Sequence, residues 1–154
     1  MLLADKISAW RSRYRIVADG REVAVWDSKV WKSGGVFELD GRRYEVSGNA
    51  WGNRFTMLDA YGMPVASADR VGRKRWTVEA SGQTYQFRRA SLWRSEQELV
   101  SSDERIGSIR RAGFGRSHVT ADLPGLPLPV QVFVLGVVIT MWNAQASAAA
   151  ASSG

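Results

Sequence analysis

One segment near the end of the chain restricts the fold more than any other. Residues 130–142 read VQVFVLGVVITMW, uncharged throughout, behind a lead-in punctuated by Pro124, Pro127 and Pro129. Upstream lie short amphipathic segments separated by turn residues. The apolar stretch must therefore either fill the interior of a β structure or anchor that structure in a bilayer. Thirteen residues span about 20 Å as a helix, close to the height of a six-residue strand. They fall short of the roughly 20 apolar residues that cross a membrane. Stretching the span to residues 123–151 brings in three prolines together with Asn143, Gln145 and Ser147, and no Lys or Arg follows Trp142 to snorkel on that side. Length thus favours an interior plug. The β-branched residues of the segment favour a strand by propensity, but Pro129 suits the first turn of a helix.

The upstream rhythm is that of antiparallel β structure. Gly20, Gly41, Gly62 and Gly82 fall at intervals of 21, 21 and 20 residues, three of them in the pairs Asp19-Gly20, Asp40-Gly41 and Ser81-Gly82. Asp-Gly favours the φ > 0 geometry of tight hairpins. Further breakers at residues 33–35, 48–53 and 72 halve the interval, and a turn every ten residues or so marks a barrel or sandwich. Between turns, apolar and charged residues alternate: Phe37 and Leu39 around Glu38, Tyr44 and Val46 around Glu45, Trp76 and Val78 around Thr77. One face is apolar and the other wet. The pattern predicts twelve strands, at 13–18, 21–27, 35–39, 42–47, 53–59, 63–69, 74–80, 83–89, 91–95, 97–101, 105–111 and 115–121.

Twelve strands about 4.8 Å apart and tilted about 40° close to a backbone radius of roughly 12 Å. After about 6 Å of inward side chain, the remaining gap matches the radius of one α-helix, roughly 5–6 Å. The expectation is a mainly β fold: an antiparallel, closed barrel of about twelve strands with a hydrophobic C-terminal helix through its centre. The domain would span 13–145, its helix about 127–145. The spacing of Leu2, Leu3, Ile7 and Trp10 predicts a short helix or arm over 1–12, and Ala/Ser-rich 146–154 reads as a flexible tail.

With the strand count, alternation and terminal helix in hand, the chain resembles the tubby C-terminal-like superfamily, which includes tubby domains, LURP-one-related proteins and phospholipid scramblases. The likeness covers roughly 13–145 and is carried by FELDGRRYEV, FTMLDAYGMPVASADR, RWTVEASGQTYQF and RIGSIRR before the apolar segment. It implies a twelve-stranded barrel threaded by its C-terminal helix, and binding of phosphoinositide headgroups through basic residues. These are packing patterns, so no binding residue is carried over position by position. The chain has no cysteine, which departs from the acylated, cysteine-rich region of scramblases, and no acidic calcium loop is evident.

Composition narrows the chemistry. Seventeen arginines and four lysines give a net charge of +6, which favours anionic partners such as lipid headgroups, nucleic acid or acidic protein faces. Without cysteine there is no disulfide, thiolate metal site or thiol catalysis. The N-terminus, with Asp5 and no sustained apolar run, is a poor signal peptide. The densest basic cluster is DRVGRKRW, which places Arg70, Arg73, Lys74 and Arg75 around a turn at Gly72. Such a turn can present several cations to phosphates, although a solvated hairpin tip has the same composition. Arg42-Arg43, Arg88-Arg89 and Arg110-Arg111 are weaker, since adjacent strand residues point to opposite faces.

His118 is the one histidine and lacks partners for zinc; beside Ser117 it makes no triad. Asp103-Glu104 and Asp122 suit turn and cap roles, and GFGRSH at 113–118 lacks the third glycine of a dinucleotide fingerprint. The seven tryptophans read as core and wall packing. No catalytic residue, metal or cofactor is expected. The reading is a non-enzymatic barrel module, monomeric and cytoplasmic, binding an anionic ligand, phospholipid headgroups or the inner membrane surface, with nucleic acid not favoured. A tail-anchored protein with a cytoplasmic β domain is the alternative. A lipid-modifying or hydrolytic enzyme is a further one, disfavoured by the poverty of nucleophile–base pairs.

Overall fold

Residues 1–7, 12–29, 33–91, 96–112 and 118–153 are described by a computed structural model. Twelve strands close into one antiparallel barrel: β1 (Leu2–Lys6), β2 (Arg13–Ala18), β3 (Arg21–Ser28), β4 (Gly34–Leu39), β5 (Arg42–Gly48), β6 (Arg54–Leu58), β7 (Pro64–Asp69), β8 (Arg75–Ala80), β9 (Gln83–Arg89), β10 (Gln97–Ser101), β11 (Glu104–Ala112) and β12 (His118–Asp122). Each strand pairs with its sequence neighbours, and β1 seals the seam against β12, with Leu2 opposite Ala121 and Asp5 opposite His118. A single helix, α1 (Leu128–Ser153), follows.

The alternation read from sequence is the alternation of the wall. Phe37, Leu39, Tyr44, Val46, Trp76 and Val78 are buried while Glu38 and Arg43 face water. Four hairpins turn on two residues, each with both φ positive: Asp19-Gly20, Asp40-Gly41, Ser81-Gly82 and Ser102-Asp103. That is the type I′ geometry, whose twist matches that of the flanking strands. These turns and the β6–β7 connection share one rim by topology, and α1 starts there. The connections β1–β2, β3–β4, β5–β6, β7–β8, β9–β10 and β11–β12 join strands at the opposite rim, where α1 emerges.

α1 fills the lumen. Val132, Phe133, Val134, Leu135, Val137 and Val138 are all fully buried, so the helix is apolar in every direction because wall surrounds it on every side. Its start is tied down by Gln131, whose backbone N–H donates to the Pro127 carbonyl (2.9 Å) and whose side chain donates to the Leu126 carbonyl (2.8 Å). At Gly136 α1 approaches the wall closely. A Cβ there would lie inside 3.0 Å of the Trp26 ring, and so would one at Gly35 on β4. The indole of Trp26 occupies a slot between two glycines, its Nε1–H donating to Ser28 Oγ at 2.9 Å.

Two expectations are corrected and a third lies mostly outside the described residues. Residues 2–6 are not a helix or arm: Leu2–Lys6 is a strand, with Leu2 and Ala4 buried and Leu3 exposed, while residues 8–11, Trp10 among them, lie outside the described residues. Leu3 and Ile7, which suggested helical spacing, both face outward. The strand expected at 91–95 falls largely outside the described residues; Ser91 lies in no strand, and Ala90 N–H bonds the Glu96 carbonyl (2.9 Å) just before β10. The barrel's twelve described strands include β1. The C-terminal segment is helical through Ser153 rather than a flexible tail from 146, since alanine is the strongest helix former. From Ala144 onward the helix is exposed beyond the rim.

Candidate functional site

The β7–β8 connection, residues 70–74, crosses the helix-exit rim and carries three of the four cations singled out in the sequence. Arg70 (φ 63°) and Gly72 (φ 90°) take left-handed backbone, which turns the intervening Val71 inward to 3% exposure. The connection is pinned at three backbone points. Val71 N–H donates to the Asn53 carbonyl (2.9 Å), Arg73 N–H to the Arg70 carbonyl (3.1 Å), and Arg89 N–H to the Lys74 carbonyl (2.8 Å). An apolar anchor and three hydrogen bonds thus hold the Arg70, Arg73 and Lys74 side chains out in solvent. No hydrogen bond or ion pair is found for these three side chains among the described residues.

Arg75 is different. As the first residue of β8 it points onto the outer wall and pairs with Asp103 at 3.3 Å, beside Arg88, which donates to the Asp103 carbonyl at 3.1 Å. The cluster read from sequence is therefore one cation in an ion pair and three without one among the described residues, Arg70 standing near enough to Asp69 for its charge to act on that carboxyl. Asp69, at the base of the connection, accepts from Arg54 Nε (3.4 Å) and from Arg70 N–H (2.9 Å). The Arg54 side chain first, then the Arg70 amide, hold its carboxyl below the usual aspartate range.

The neighbouring β5–β6 connection, residues 49–53, joins this site through the Val71–Asn53 hydrogen bond. Asn49 organises it: its Oδ1 accepts from the N–H groups of Asn53 (3.1 Å) and Arg54 (3.2 Å), and its Nδ2 donates to Asn53 Oδ1 (2.7 Å). At its tip Trp51 is 86% exposed. This corrects the reading of all tryptophans as packing: Trp26, Trp76 and Trp142 are core, Trp51 is surface, and Trp10, Trp31 and Trp93 lie outside the described residues. The signal was available, since Trp51 sits inside the breaker stretch 48–53, where a core aromatic has no strand to hold it.

The remaining candidates take structural roles. Arg42 and Arg43 are exposed at the far end of the barrel, while Arg88 is half-buried against Glu98 at 2.7 Å. Arg111 lies 4.4 Å over the Trp142 ring where α1 leaves the lumen, and Asn143 donates to Ser12 Oγ at 2.8 Å in the same collar. Burial raises the Tyr14 phenol in that collar, opposed by its Ser12 hydrogen bond and the Arg111 charge. His118 pairs with Asp5 across the β12–β1 seam. Residues 113–117 of GFGRSH lie outside the described residues. No cluster of three metal-ligating side chains occurs among the described residues. A cleft of about 500 Å³ at the helix-start rim is lined by Arg42, Tyr44, Asp59 and Tyr61, which supply no nucleophile with a base beside it.

No protein-family profile, characterised protein or solved structure matches the chain.

Proposed function

We propose that this chain is a non-enzymatic, tubby-like barrel module that binds an anionic phospholipid surface at the inner face of the membrane through Arg70, Arg73 and Lys74. The closed twelve-stranded barrel around an apolar C-terminal helix supports the tubby-like part. The observation that carries the binding part is the pinned turn, which displays three exposed cations whose side chains make no hydrogen bond or ion pair among the described residues, Arg70 having only the nearby charge of Asp69. Such an arrangement costs no ion pair when phosphates arrive and orders little new backbone.

Each basic side chain near an anionic bilayer contributes about 1 kcal/mol, falling off over a Debye length of roughly 10 Å. Three together give about 3 kcal/mol, on the order of a hundredfold in affinity. Co-sedimentation with phosphatidylserine-containing vesicles tests this. The triple change Arg70→Gln, Arg73→Gln, Lys74→Gln should cost about that factor at low salt, and binding should weaken steeply as salt rises. Arg75→Gln should cost less, because Arg75 already has Asp103. Neutralising Arg42 and Arg43 at the far end should leave binding intact. Binding that is absent at low salt, or indifferent to salt and to the triple change, overturns the proposal.

A further inference from the structure

We infer that the barrel meets the bilayer end-on, by its helix-exit rim, with Trp51 seated in the headgroup layer beside the three cations and the emergent end of α1 passing through that layer. This rests on the lipid-surface reading above and assigns its geometry. The hydrogen bond from Val71 N–H to the Asn53 carbonyl joins the two connections, so Trp51 and the cationic turn form one patch. An indole is apolar in body and polar at one edge, which suits the membrane–water interface. With 86% of its surface in water, Trp51 has no packing role to explain it.

Charge along the barrel axis points the same way. Among the described residues, the connections at the helix-exit rim carry Lys29, which pairs with Glu45, and Arg70, Arg73 and Lys74, against a single acid, Glu96. Those at the helix-start rim contain Asp19, Asp40, Asp59 and Asp103, the last paired with Arg75, and no Lys or Arg, while Arg21, Arg42 and Arg43 stand at the adjoining strand ends. A molecule more basic at one end than at the other turns that end toward a negative surface before contact. End-on contact must also accommodate α1, whose residues 144–153 continue about 15 Å past the rim. That segment, AQASAAAASS, carries no charge, so placing it among headgroups desolvates no ion. The absence of charge on the emergent helix also favours a bilayer over nucleic acid, against which a basic extension would be useful.

The absence of cysteine makes the orientation directly measurable. Single replacements Ala50→Cys, Ala148→Cys and Ala60→Cys, all at exposed positions, would carry an environment-sensitive fluorophore. They report respectively on the Trp51 connection, the emergent helix and the opposite rim. With vesicles of equal parts phosphatidylserine and phosphatidylcholine bearing a lipid-borne quencher, labels at 50 and 148 should blue-shift and be quenched, while the label at 60 should stay in water. Trp51→Ala should weaken binding roughly tenfold, the change expected when a large aromatic ring loses part of its apolar contact. That loss should persist at high salt, unlike the loss from the cationic turn.

Equal quenching at 50 and 60, or a label at 148 that stays in water on bound protein, overturns end-on docking while leaving lipid binding standing. So does a Trp51→Ala variant that binds normally while the triple turn variant does not. Failure of the unlabelled protein to bind these vesicles at low salt overturns both readings. Binding to single-stranded oligonucleotides with the vesicles ignored does the same and assigns the patch to base stacking.

Discussion

Gly136 gives the sharpest test of the helix in the lumen, because helix propensity and packing predict opposite signs there. On propensity alone, replacing a mid-helix glycine by alanine stabilises by about 1 kcal/mol. In this barrel the new methyl would land inside 3.0 Å of the Trp26 ring carbons. The ring cannot retreat, since a Cβ at Gly35 would also fall inside 3.0 Å of it and its Nε1–H is bonded to Ser28. Overpacking of a close-packed interior typically costs about 1–3 kcal/mol. Gly136→Ala should therefore be neutral to destabilising by about 2 kcal/mol once the propensity gain is subtracted. Gly136→Leu, with three further carbons and no space for them, should reach about 3 kcal/mol or more. For a chain of this size each kcal/mol moves the Tm by roughly 2–4 °C. Trp26→Phe shortens the ring and should relieve the clash. In a double-mutant cycle, Gly136→Ala should thus cost less in the Trp26→Phe background, with a coupling of about 0.5–3 kcal/mol. Urea titrations of the four proteins, with the slope m checked for constancy, provide the numbers. A Gly136→Ala protein that is more stable than the parent, or a cycle with no coupling, would refute the placement of α1 against Trp26.

Two further outcomes can be stated alongside the vesicle and labelling experiments above. A chain truncated after Gly125 loses every interior contact of α1 and should not fold; a sharp, dispersed amide NMR spectrum from it would sink the plug. The Asp69 carboxyl, depressed chiefly by Arg54, should titrate closer to the ordinary aspartate value in Arg54→Gln, as read from its carboxyl carbon shift. Because its folded pKa lies below its unfolded one, its stabilising contribution is present above the unfolded value and lost as pH falls through the folded value. Asp69→Asn should accordingly flatten the acid side of the stability profile, and an unchanged profile would contradict the pairing.

Much of this architecture was readable because the devices that build it are local. Type I′ turns need φ > 0 at adjacent positions, so Asp19-Gly20 and Asp40-Gly41 announce themselves. A wall with one wet face alternates with period two, and a helix surrounded by wall is apolar throughout. What failed was also local. Leu2–Lys6 is too short to separate a period of 2 from one of 3.6, and its strand identity comes from the need to seal β12 to β2. Ser102-Asp103 makes a tight turn without glycine, which turn chemistry alone ranks low. At the site, sequence brought Arg70, Arg73, Lys74 and Arg75 together as neighbours along the chain. It had no means to show that Asp103, 28 positions after Arg75, would remove one of them. The exposure of Trp51 was legible from its place in the breaker stretch 48–53, but the hydrogen bond from Val71 N–H to the Asn53 carbonyl, which joins its connection to the cationic turn, was not.

The two original readings of the terminal segment, plug and anchor, are mutually exclusive on energetic grounds. By length and composition α1 is long and apolar enough to cross a bilayer, yet 56% of that window is buried in the barrel. Lipid would satisfy the helix if it withdrew, replacing wall contacts with acyl chains. It would do nothing for the inward side chains left behind, among them Trp26, Trp76, Phe55, Phe87, Ile16, Met57, Leu99 and Ile109. Each large side chain returned to water costs about 1.5–3 kcal/mol, so baring these eight costs about 12–24 kcal/mol. A domain's entire stability is typically about 5–15 kcal/mol. An emptied barrel would therefore collapse or unfold rather than persist as a soluble head on an anchor. The division within α1 follows from this. The half inside the lumen is Val-, Leu- and Phe-rich because it must pack. The half outside is Ala- and Ser-rich because, beyond the wall, it has only to remain helical.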